Sequence, residues 1–374
     1  MKFRVERDVL ADAVAWAART LPNRPALPML AGLLVEADVN GLTLSSFDYE
    51  VSGRVFVPAD VDEPGRALVS GRLLADIARA LPAQPVQLSS EGSRVEVRCG
   101  RSSFTLPTLP VEDYPALPDM PSSSGTVPGS ALAAAVAQVA IAAGRDDTLP
   151  ILTGIRLEIS GDSVTLAATD RYRLAVRELA WSAELAGLDT AVLVPARTLA
   201  DTAKALAACD VVTISLASTG VGDGLMGFEG GGRRTTTRLL DGEFPKYRAL
   251  LPSESATVAT VATSVLVDAV KRVSLVAERN TPVRLTFSGG EVLLRAGAGD
   301  EAQATEAVEC SVEGDPVEIA FNPTYLLDGL GAVDAATSRL SFTAATRPAV
   351  LTGAGEDGLS ASYRYLLMPV RLSG

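Results

Sequence analysis

The amino-acid sequence predicts an α+β protein made of three repeated units, each with antiparallel sheets and two helices. Three observations carry this prediction: the chain repeats itself about every 125 residues, alternating apolar and polar residues mark strands, and apolar residues at helical spacing mark the helices. With 374 residues, of which 47% are hydrophobic, the chain is long enough to bury a core in more than one domain.

The repeat is clearest between the first and second units. The segment LPMLAG at residues 27–32 returns as LPILTG at residues 149–154, an offset of 122 residues. The triplet Asp48-Tyr49-Glu50 returns at the same offset as Asp170-Arg171-Tyr172, in both cases after an alternating strand. A third copy is fainter and begins near Thr281–Leu285. Proline- and serine-rich segments separate the copies, so we expect domains at residues 1–120, 126–252 and 256–374.

Each unit has the same order of elements. An amphipathic helix opens it, at Arg7–Arg19, Gly129–Gly144 and Ser264–Glu278. Alternating strands follow, among them Gly41–Ser46 and Ser163–Ala168. A second helix comes next, at Ser70–Leu81, Pro195–Leu206 and Asn322–Leu330, and further strands complete the unit.

Composition excludes several classes of function. The chain has no histidine, which excludes Ser-His-Asp and Cys-His catalysis and zinc sites that use imidazole. Cys99, Cys209 and Cys310 are far apart in sequence, which favours free, buried thiols over a disulfide framework or a metal cluster. The longest apolar run, Ala131–Ala143, is too short to span a membrane, and no export leader is visible, so we expect a cytoplasmic protein without a membrane partner.

The helices carry a repeated pair of basic residues on an otherwise acidic chain of net charge −12. The members of each pair are seven residues apart and so share one helical face, as Arg72 with Arg79, Arg197 with Lys204, and Arg272 with Arg279. Such faces bind DNA phosphates without reading bases. The alternative is an ordinary solvated face, on which Asp76 and Asp201 pair with the arginines four residues before them.

Two motifs that suggest catalysis lack the context that catalysis needs. Residues Gly222–Gly227 match GxGxxG, but glycines continue to Gly232 and no helix follows, so we expect a flexible hairpin. The acidic pairs Glu112-Asp113 and Asp146-Asp147 stand at element ends, where turns and caps use such residues. We therefore expect no catalytic or metal-binding residues, and keep a carboxylate enzyme of sugar or nucleotide chemistry as the rival interpretation.

Four segments resemble, in order, the bacterial DNA polymerase III beta sliding clamp family. They are ATDRYRL at residues 168–174, DGEFPKYR at 241–248, AFNPTYLLD at 320–328 and YLLMPVRL at 365–372, and the resemblance extends over the whole chain. It implies a non-enzymatic clamp without a cofactor, which encircles duplex DNA independently of sequence and confers processivity on the replicative polymerase. Two alternatives stay open: a peptide-binding scaffold that never surrounds DNA, and a second, inhibitor-tolerant clamp copy.

The resemblance also implies a pocket between domains 2 and 3 that binds short linear peptides of polymerases, the clamp loader and repair proteins. Its residues, carried over one by one, are Leu152, Thr169, Arg171, Tyr172, Arg173, Leu174, Pro245, Arg248, Leu250, Tyr325, Met368, Pro369, Val370 and Arg371. Arg171 stands where many clamps have glycine, and Tyr172 where many have histidine. Ala249 stands where some have arginine, and these departures leave the peptide preference and the inhibitor sensitivity of this chain open.

The DNA-contacting set combines the paired basic residues with residues that match the family's DNA path. It consists of Arg24, Arg72, Arg79, Arg145, Arg197, Lys204, Lys271, Arg272 and Arg279.

Domain size predicts that two chains form one ring. A globule of 125 residues has a radius of roughly 18 Å; three of them leave a central hole of only ~3 Å radius, whereas six leave about 18 Å, which admits a duplex of roughly 10 Å radius. We therefore expect a head-to-tail homodimer of six domains. The charges predicted to face each other are Arg94, Arg98 and Arg101 against Asp300, Glu301 and Glu306, and the resemblance adds Phe104, Leu106 and Leu275.

Overall fold

The computed structural model describes residues 1–184, 187–217, 224–252, 254–277, 281–297, 302–355 and 362–371. The chain forms two compact units. The first comprises Met1–Ser130, Ser182–Ala186 and Asp201–Leu239, and the second comprises Ala131–Trp181, Gly187–Ala200 and Leu240–Gly374. The middle repeat contributes strands to both units, and the three domain boundaries given above stay a prediction.

The helices form where the apolar periodicity predicted them; most are shorter than predicted, whereas α6 extends beyond its predicted end at Leu330. They are α1 (Arg7–Ala17), α2 (Gly71–Ala80), α3 (Gly129–Ala140), α4 (Ala196–Ala205), α5 (Thr263–Val273) and α6 (Pro323–Ala332). Helices α1 and α5 end early because the chain continues as a 3₁₀ helix, at Ala18–Thr20 and Ser274–Val276. Helix α6 begins sharply because the Asn322 side chain accepts hydrogen bonds from the Thr324 and Tyr325 amides.

Among the strands of the first third of the chain, Lys2–Val5 and Arg94–Cys99 alternate buried and less buried residues, whereas Gly41–Phe47 is buried at every position. The strands of this third are β1 (Lys2–Val5), β2 (Gly32–Asp38), β3 (Gly41–Phe47), β4 (Val51–Val57), β5 (Asp60–Glu63), β6 (Gly65–Ser70), β7 (Val86–Glu91), β8 (Arg94–Cys99) and β9 (Ser102–Leu109).

The middle third continues with strands on either side of α3 and α4. They are β10 (Ser123–Val127), β11 (Gly154–Ser160), β12 (Ser163–Thr169), β13 (Arg173–Ala180), β14 (Ser182–Ala183), β15 (Asp189–Pro195), β16 (Val212–Leu216), β17 (Leu225–Gly230) and β18 (Arg233–Arg238).

The last third completes the set around α5 and α6. Its strands are β19 (Thr257–Ala262), β20 (Val283–Ser288), β21 (Glu291–Ala296), β22 (Ala304–Glu309), β23 (Ser311–Gly314), β24 (Val317–Phe321), β25 (Thr337–Phe342), β26 (Ala349–Ala354) and β27 (Tyr363–Leu367).

The first unit holds a single long antiparallel sheet. Its strand order is β14-β10-β16-β17-β18-β4-β3-β2-β6-β9-β8-β7-β1-β5. The pairing of β18 with β4, from Arg233 opposite Val55 to Thr237 opposite Val51, joins strands of the first and middle repeats into one sheet. Helix α1 packs on α2, β3 and β4 and buries Leu10, Val14 and Trp16.

The second unit holds two antiparallel sheets. Their orders are β15-β11-β12-β13-β27-β26-β25-β19-β23 and β22-β21-β20-β24. The pairing of β13 with β27, from Arg173 opposite Leu367 to Arg177 opposite Tyr363, is the counterpart of the β18–β4 pairing. The observed α+β architecture of antiparallel sheets and helices confirms the predicted fold class.

The turn between β3 and β4 has the same structure as the turn between β12 and β13. The Asp48 carboxylate accepts hydrogen bonds from the amides of Glu50 (3.0 Å) and Val51 (2.7 Å), and Asp170 does the same at Tyr172 (3.0 Å) and Arg173 (3.1 Å). The residue after each aspartate lies in the left-handed region, with φ of 75° at Tyr49 and 80° at Arg171. The 122-residue repeat read from the sequence is therefore a repeat of backbone conformation.

The motifs set aside in the sequence lie in turns and at a hairpin where the structure describes them. Gly224 precedes the β17–β18 hairpin, while Gly222 lies outside the described residues. Asp146 caps a turn, accepting hydrogen bonds from the amide (3.0 Å) and hydroxyl (2.6 Å) of Thr148. The three cysteines are free thiols, as predicted, but only Cys99 is buried; Cys209 and Cys310 are partly exposed, against the expectation that all three are buried. The described part of the chain holds neither a helix long and apolar enough to cross a membrane nor a cluster of acidic and cysteine side chains suited to a metal ion.

Candidate functional site

A cleft of about 480 Å³ opens in the second unit, beside the turn that joins β12 to β13. The first turns of α6 and the segment between α3 and β11 form its other walls. We call this space the cleft; its lining residues are Ala143, Gly144, Arg145, Asp146, Leu149, Leu152, Asp170, Arg171, Tyr172, Arg173, Thr324, Tyr325 and Asp328.

Part of the predicted peptide pocket lies in this lining. The predicted residues found there are Leu152, Arg171, Tyr172, Arg173 and Tyr325. Arg145, which the sequence assigned to DNA, also lines the cleft.

Arg173 is the fixed charge of the cleft. Its guanidinium contacts the carboxylates of Asp170 (2.9 Å) and Asp328 (2.5 Å) and lies 4.3 Å from the centre of the Tyr325 ring, and the residue is only 5% exposed. Burial acts to lower the pKa of Arg173, but the hydrogen bond to Asp328, the neighbouring Tyr365 and the bond to Asp170 raise it above its ordinary value. Arg173 is thus a permanently charged, fully paired group that holds the turn against α6.

Two tyrosines form an aromatic wall. The rings of Tyr172 and Tyr325 stack with centroids 6.3 Å apart and an interplanar angle of 26°. The Tyr365 hydroxyl donates a hydrogen bond to the Tyr325 carbonyl (2.9 Å), which ties α6 to strand β27. Tyr172 is 54% exposed, so its ring offers a large apolar face to a ligand.

The segment after β27 runs beside the cleft and exposes apolar side chains. The Met368 amide donates to the Tyr172 carbonyl (2.9 Å), and the Val370 amide donates to the Ala320 carbonyl (2.8 Å). Met368 and Val370 are exposed, Pro369 is half-buried and Arg371 is exposed. These predicted pocket residues are outside the lining of the cleft, but the two hydrogen bonds hold the segment next to it.

The other predicted pocket residues divide into buried supports and exposed neighbours. Thr169 is buried, and its hydroxyl donates to the Arg173 carbonyl (2.7 Å). Leu174 belongs to the core that contains Phe244 and Tyr247. Both side chains are buried beside the turn, so they support it here, and the expectation that they also contact a ligand stays a prediction.

Pro245, Arg248 and Leu250 are exposed and are not among the residues that line the cleft. Arg248 is paired with the Glu158 carboxylate (2.6 Å), which also accepts a hydrogen bond from the Tyr247 hydroxyl (3.0 Å). Its charge is therefore partly neutralised within the chain.

Sequence reasoning missed the aspartates of the cleft. Asp170 and Asp328 set the position of Arg173, yet neither was assigned to the site. Two signals in the sequence pointed to them: Asp170 repeats Asp48 in the turn, and Asp328 falls 127 residues after Asp201 in the fainter repeat of the second helix.

The basic residues predicted to contact DNA are exposed wherever the structure describes them. Arg72 donates to the Pro22 carbonyl (3.0 Å) and the Asn23 side chain (2.8 Å), which joins α2 to the loop that carries Arg24. The alternative of a solvated helix face had paired Asp76 with Arg72, and this pairing is wrong because Asp76 instead lies 3.5 Å from Arg79.

The remaining basic residues differ in how far they are neutralised. Arg145 and Arg197 line a second cavity of about 600 Å³. Arg272 is paired with Glu306 (2.5 Å), and Lys271 lies 4.0 Å from Asp268. In the described part of the chain, Arg24, Arg145, Arg197 and Lys204 have no ion pair, while Arg279 lies outside it.

The residues predicted for the dimer interface are only partly available at the surface. Phe104 and Leu275 are exposed, Leu275 to 84%, and Arg101 is exposed. Leu106 is 1% exposed because it packs opposite the buried Val95 in the β8–β9 pair, so the expectation of a surface contact there is wrong. Arg98 is paired with Glu96 (2.7 Å), whereas Asp300 and Glu301 lie outside the described residues.

Comparison with known families gives matches along nearly the whole chain. Residues 1–118 match the N-terminal domain of the DNA polymerase III beta subunit, residues 126–246 its central domain and residues 248–371 its C-terminal domain.

Individual relatives agree with the family matches. The chain is 62% identical to the beta sliding clamp of Streptomyces coelicolor, over 100% of both chains, and 48% identical to the beta sliding clamp homolog GriR of Streptomyces muensis, over 99% of both. Its fold matches the DnaN sliding clamp of Pseudomonas aeruginosa bound to griselimycin, with a TM-score of 0.91, 29% identity and 100% coverage of both chains. The chain belongs to the DNA polymerase III beta subunit family, the bacterial sliding clamps, which are non-catalytic processivity subunits.

Proposed function

We propose that this cytoplasmic clamp works as a head-to-tail homodimer that encloses duplex DNA and holds its partners by short peptides bound at the cleft. The replicative polymerase, the clamp loader and repair proteins are the proposed partners, and the clamp domains are residues 1–120, 126–252 and 256–374. The observation that carries the proposal is the cleft, in which an exposed aromatic wall lies beside a fixed ion-pair network.

A peptide is the ligand that this surface fits best. Tyr172, Tyr325 and Leu152 supply apolar contact area, and the exposed Met368 and Val370 extend it with flexible and branched side chains. The fixed turn and the paired Arg173 keep these groups in place before a ligand arrives, which lowers the entropic cost of binding.

DNA contact is proposed to be electrostatic and independent of sequence. Arg24, Arg145, Arg197 and Lys204 are exposed, without an ion pair in the described part of the chain, and therefore free to approach phosphates. Because the chain carries a net charge of −12, its general attraction to DNA is weak. The clamp is therefore retained on DNA by enclosing it.

The rival functions are a peptide-binding scaffold and a second clamp copy that tolerates an inhibitor. The similarity to the GriR homolog keeps the second alternative in view. Both rivals predict peptide binding, so peptide binding by itself does not decide between them and the proposal.

The deciding experiment loads the protein onto a nicked circular duplex with a clamp loader. The proposed clamp stays on the circle through gel filtration at 0.5 M salt and is lost when one restriction cut makes the DNA linear. Equal loss from circular and linear DNA would support the scaffold. Light scattering is the companion measurement, since a dimer of 38.8 kDa chains is expected at micromolar concentration.

A second measurement tests the cleft directly. Met368→Ala is expected to weaken a polymerase-derived peptide by about tenfold or more, because it removes an exposed apolar contact, without changing retention on circular DNA. Val39→Ala, a change at an exposed apolar residue of the first unit, is the matched control and is expected to alter neither measurement.

A further inference from the structure

Arg171 has an unusual backbone conformation at the mouth of the cleft. Its φ of 80° lies in the left-handed region, where the Cβ atom of any residue other than glycine is sterically disfavoured. Among the described residues, Tyr49 is the other non-glycine residue with a positive φ, and it stands at the equivalent turn of the first repeat. Because Tyr49 shares it, this conformation belongs to the repeated turn and does not by itself indicate a function, so a role for Arg171 has to be argued from the surroundings of its side chain.

Within the described residues Arg171 makes no ion pair with the carboxylates around the cleft, although its charge acts on the nearby Asp146. The lining contains three arginines and three aspartates. Arg173 takes up two of the aspartates, Asp170 and Asp328, by direct ion pairs. The third, Asp146, accepts two hydrogen bonds from Thr148, and these together with the nearby Arg171 lower its pKa.

The guanidinium of Arg171 is oriented over an aromatic surface that a peptide is proposed to cover. It lies 5.9 Å from the centre of the exposed Tyr172 ring, and in the described part of the chain it makes no ion pair. Arg145, also exposed and without an ion pair there, lines the same cleft. The mouth of the cleft therefore carries two positive charges, Arg145 and Arg171, and one negative charge, Asp146, which is already hydrogen-bonded to Thr148. In the interior, Arg173 faces two aspartates, so the charge there is negative by one unit.

We propose that Arg171 is a specificity-determining residue that binds a carboxylate of the incoming peptide, so that this cleft selects acidic residues next to the apolar anchors. The proposal rests on the peptide-binding function given above. A planar guanidinium with several N–H donors binds a carboxylate in two parallel hydrogen bonds, and such a contact above an aromatic face is partly shielded from water. Arg145 supplies a second positive charge for the same group.

The alternative role for Arg171 is steric: a long side chain where glycine would fit narrows the cleft, whatever its charge. Arg171→Gln separates the two roles, because glutamine keeps most of the length and the strained backbone but loses the charge. Arg171→Gly removes both length and charge and relieves the backbone, so it reports their combined effect.

The test measures binding of synthetic octapeptides by isothermal titration calorimetry to the full-length protein. Each peptide has two leucines as apolar anchors, with either aspartate or asparagine placed before, between or after them. The wild-type protein is expected to prefer one aspartate peptide by about tenfold over its asparagine counterpart, since a hydrogen bond to a charged group is worth roughly that factor. Raising the salt concentration from 0.05 to 0.5 M is expected to reduce this preference and leave the asparagine peptide nearly unaffected.

Arg171→Gln is expected to lose the preference while still binding the asparagine peptide within about twofold of wild type. Arg284→Gln, which removes one exposed positive charge outside the cleft, is the matched control and is expected to keep the preference. An equal preference in wild type and Arg171→Gln would overturn the proposal and leave peptide binding standing. Binding of none of the peptides, with or without aspartate, would overturn peptide binding itself and this proposal with it.

Discussion

At the scale of single residues, the shape of the cleft depends on one buried arginine that makes two ion pairs. Arg173 bridges Asp170 in the β12–β13 turn and Asp328 in α6, and it covers the Tyr325 ring. Removing one partner of a buried ion pair leaves the other charges desolvated and unpaired, and this costs more than the pair itself contributes. The arrangement explains how a site rich in charge keeps a fixed shape.

We expect Arg173→Met to lower the free energy of unfolding by about 3 kcal/mol, because Asp170 and Asp328 would lose their shared partner. Arg364→Met, which removes an exposed ion pair with Glu178 (3.1 Å), is the control and is expected to cost less than about 1 kcal/mol. Urea unfolding measures both changes. Adding Asp328→Asn to Arg173→Met should restore part of the loss, and equal costs for the two arginines would contradict the account.

A pH-dependent contribution to stability is expected from Glu158. Burial acts to raise its pKa, but hydrogen bonds from Arg156 (2.7 Å), Arg248 (2.6 Å) and Tyr247 (3.0 Å) outweigh burial and lower it. Because the pKa is lower in the folded state, the contribution is complete above the ordinary value of 4.5 and disappears as the pH falls through the folded-state value.

Glu158→Gln is therefore expected to cost about 1–2 kcal/mol at pH 7 and at pH 5.5, with the cost shrinking below pH ~4.5. Urea midpoints of the variant and wild type across this range give the measurement. Glu229→Gln, at a more exposed pair with Arg234, serves as the control with a small effect throughout. A cost that stays constant down to pH 3.5 would show that the charge of Glu158 is not its source.

At the scale of elements, the same turn serves as structure in one repeat and as part of a site in the other. Asp48 and Asp170 organise the two turns identically, and the next residue is left-handed in both. The difference lies two positions later, where the first repeat has Val51 and the middle repeat has Arg173. The sequence predicts both turns from the repeat, but which turn borders a cleft depends on packing against α6, which lies more than 140 residues away in the chain.

The shared turn conformation gives a prediction that can be tested without affecting the cleft. Tyr49→Val is expected to be about 1 kcal/mol less stable than Tyr49→Asn, because a β-branched residue is strongly disfavoured at φ of 75° and asparagine tolerates it. Both variants lose the contact with the Phe47 ring, so their difference isolates the backbone. Thermal unfolding of the pair is the measurement, and equal stability would contradict a left-handed residue here.

Two glycines of α6 offer a second matched comparison. A Cβ at Gly329 would lie 2.4 Å from the Tyr365 ring, whereas a Cβ at Gly331 would meet nothing within 4 Å. We expect Gly329→Ala to lower the free energy of unfolding by about 1–3 kcal/mol through overpacking. Gly331→Ala should raise it by about 0.5–1 kcal/mol, because alanine has the higher helix propensity. Urea unfolding compares them. A destabilised Gly331→Ala would contradict the open space at that position.

At the scale of the whole molecule, more of the fold than of the site could be predicted from the sequence. Periodicity predicted the helices and the internal repeat predicted the equivalent turns, because both signals are local or recur at a fixed spacing. The division into two compact units was not visible, because the middle repeat contributes strands to two different sheets through long-range pairing with β4 and β27. Leu106 is buried opposite Val95 in the local β8–β9 hairpin, and its surface position had been expected from the family resemblance and not from the pattern of the strand.

Enclosure and charge make separable contributions to DNA retention, and the proposed clamp depends on enclosure. Neutralising Arg24, Arg197 and Lys204 to glutamine removes exposed basic residues and changes the net charge from −12 to −15. Each phosphate contact contributes about 0.9 to the slope of log affinity against log salt, so direct binding to linear DNA should lose up to ~2.7 in slope. The half-life of the loaded protein on a closed circle should change by less than about twofold, because no bond to a phosphate holds it there.

A variant with Arg284, Arg295 and Arg347 changed to glutamine has the same net charge as the first variant and should match wild type in both measurements. If the first variant leaves closed circles as fast as it leaves linear DNA, charge rather than enclosure retains this protein.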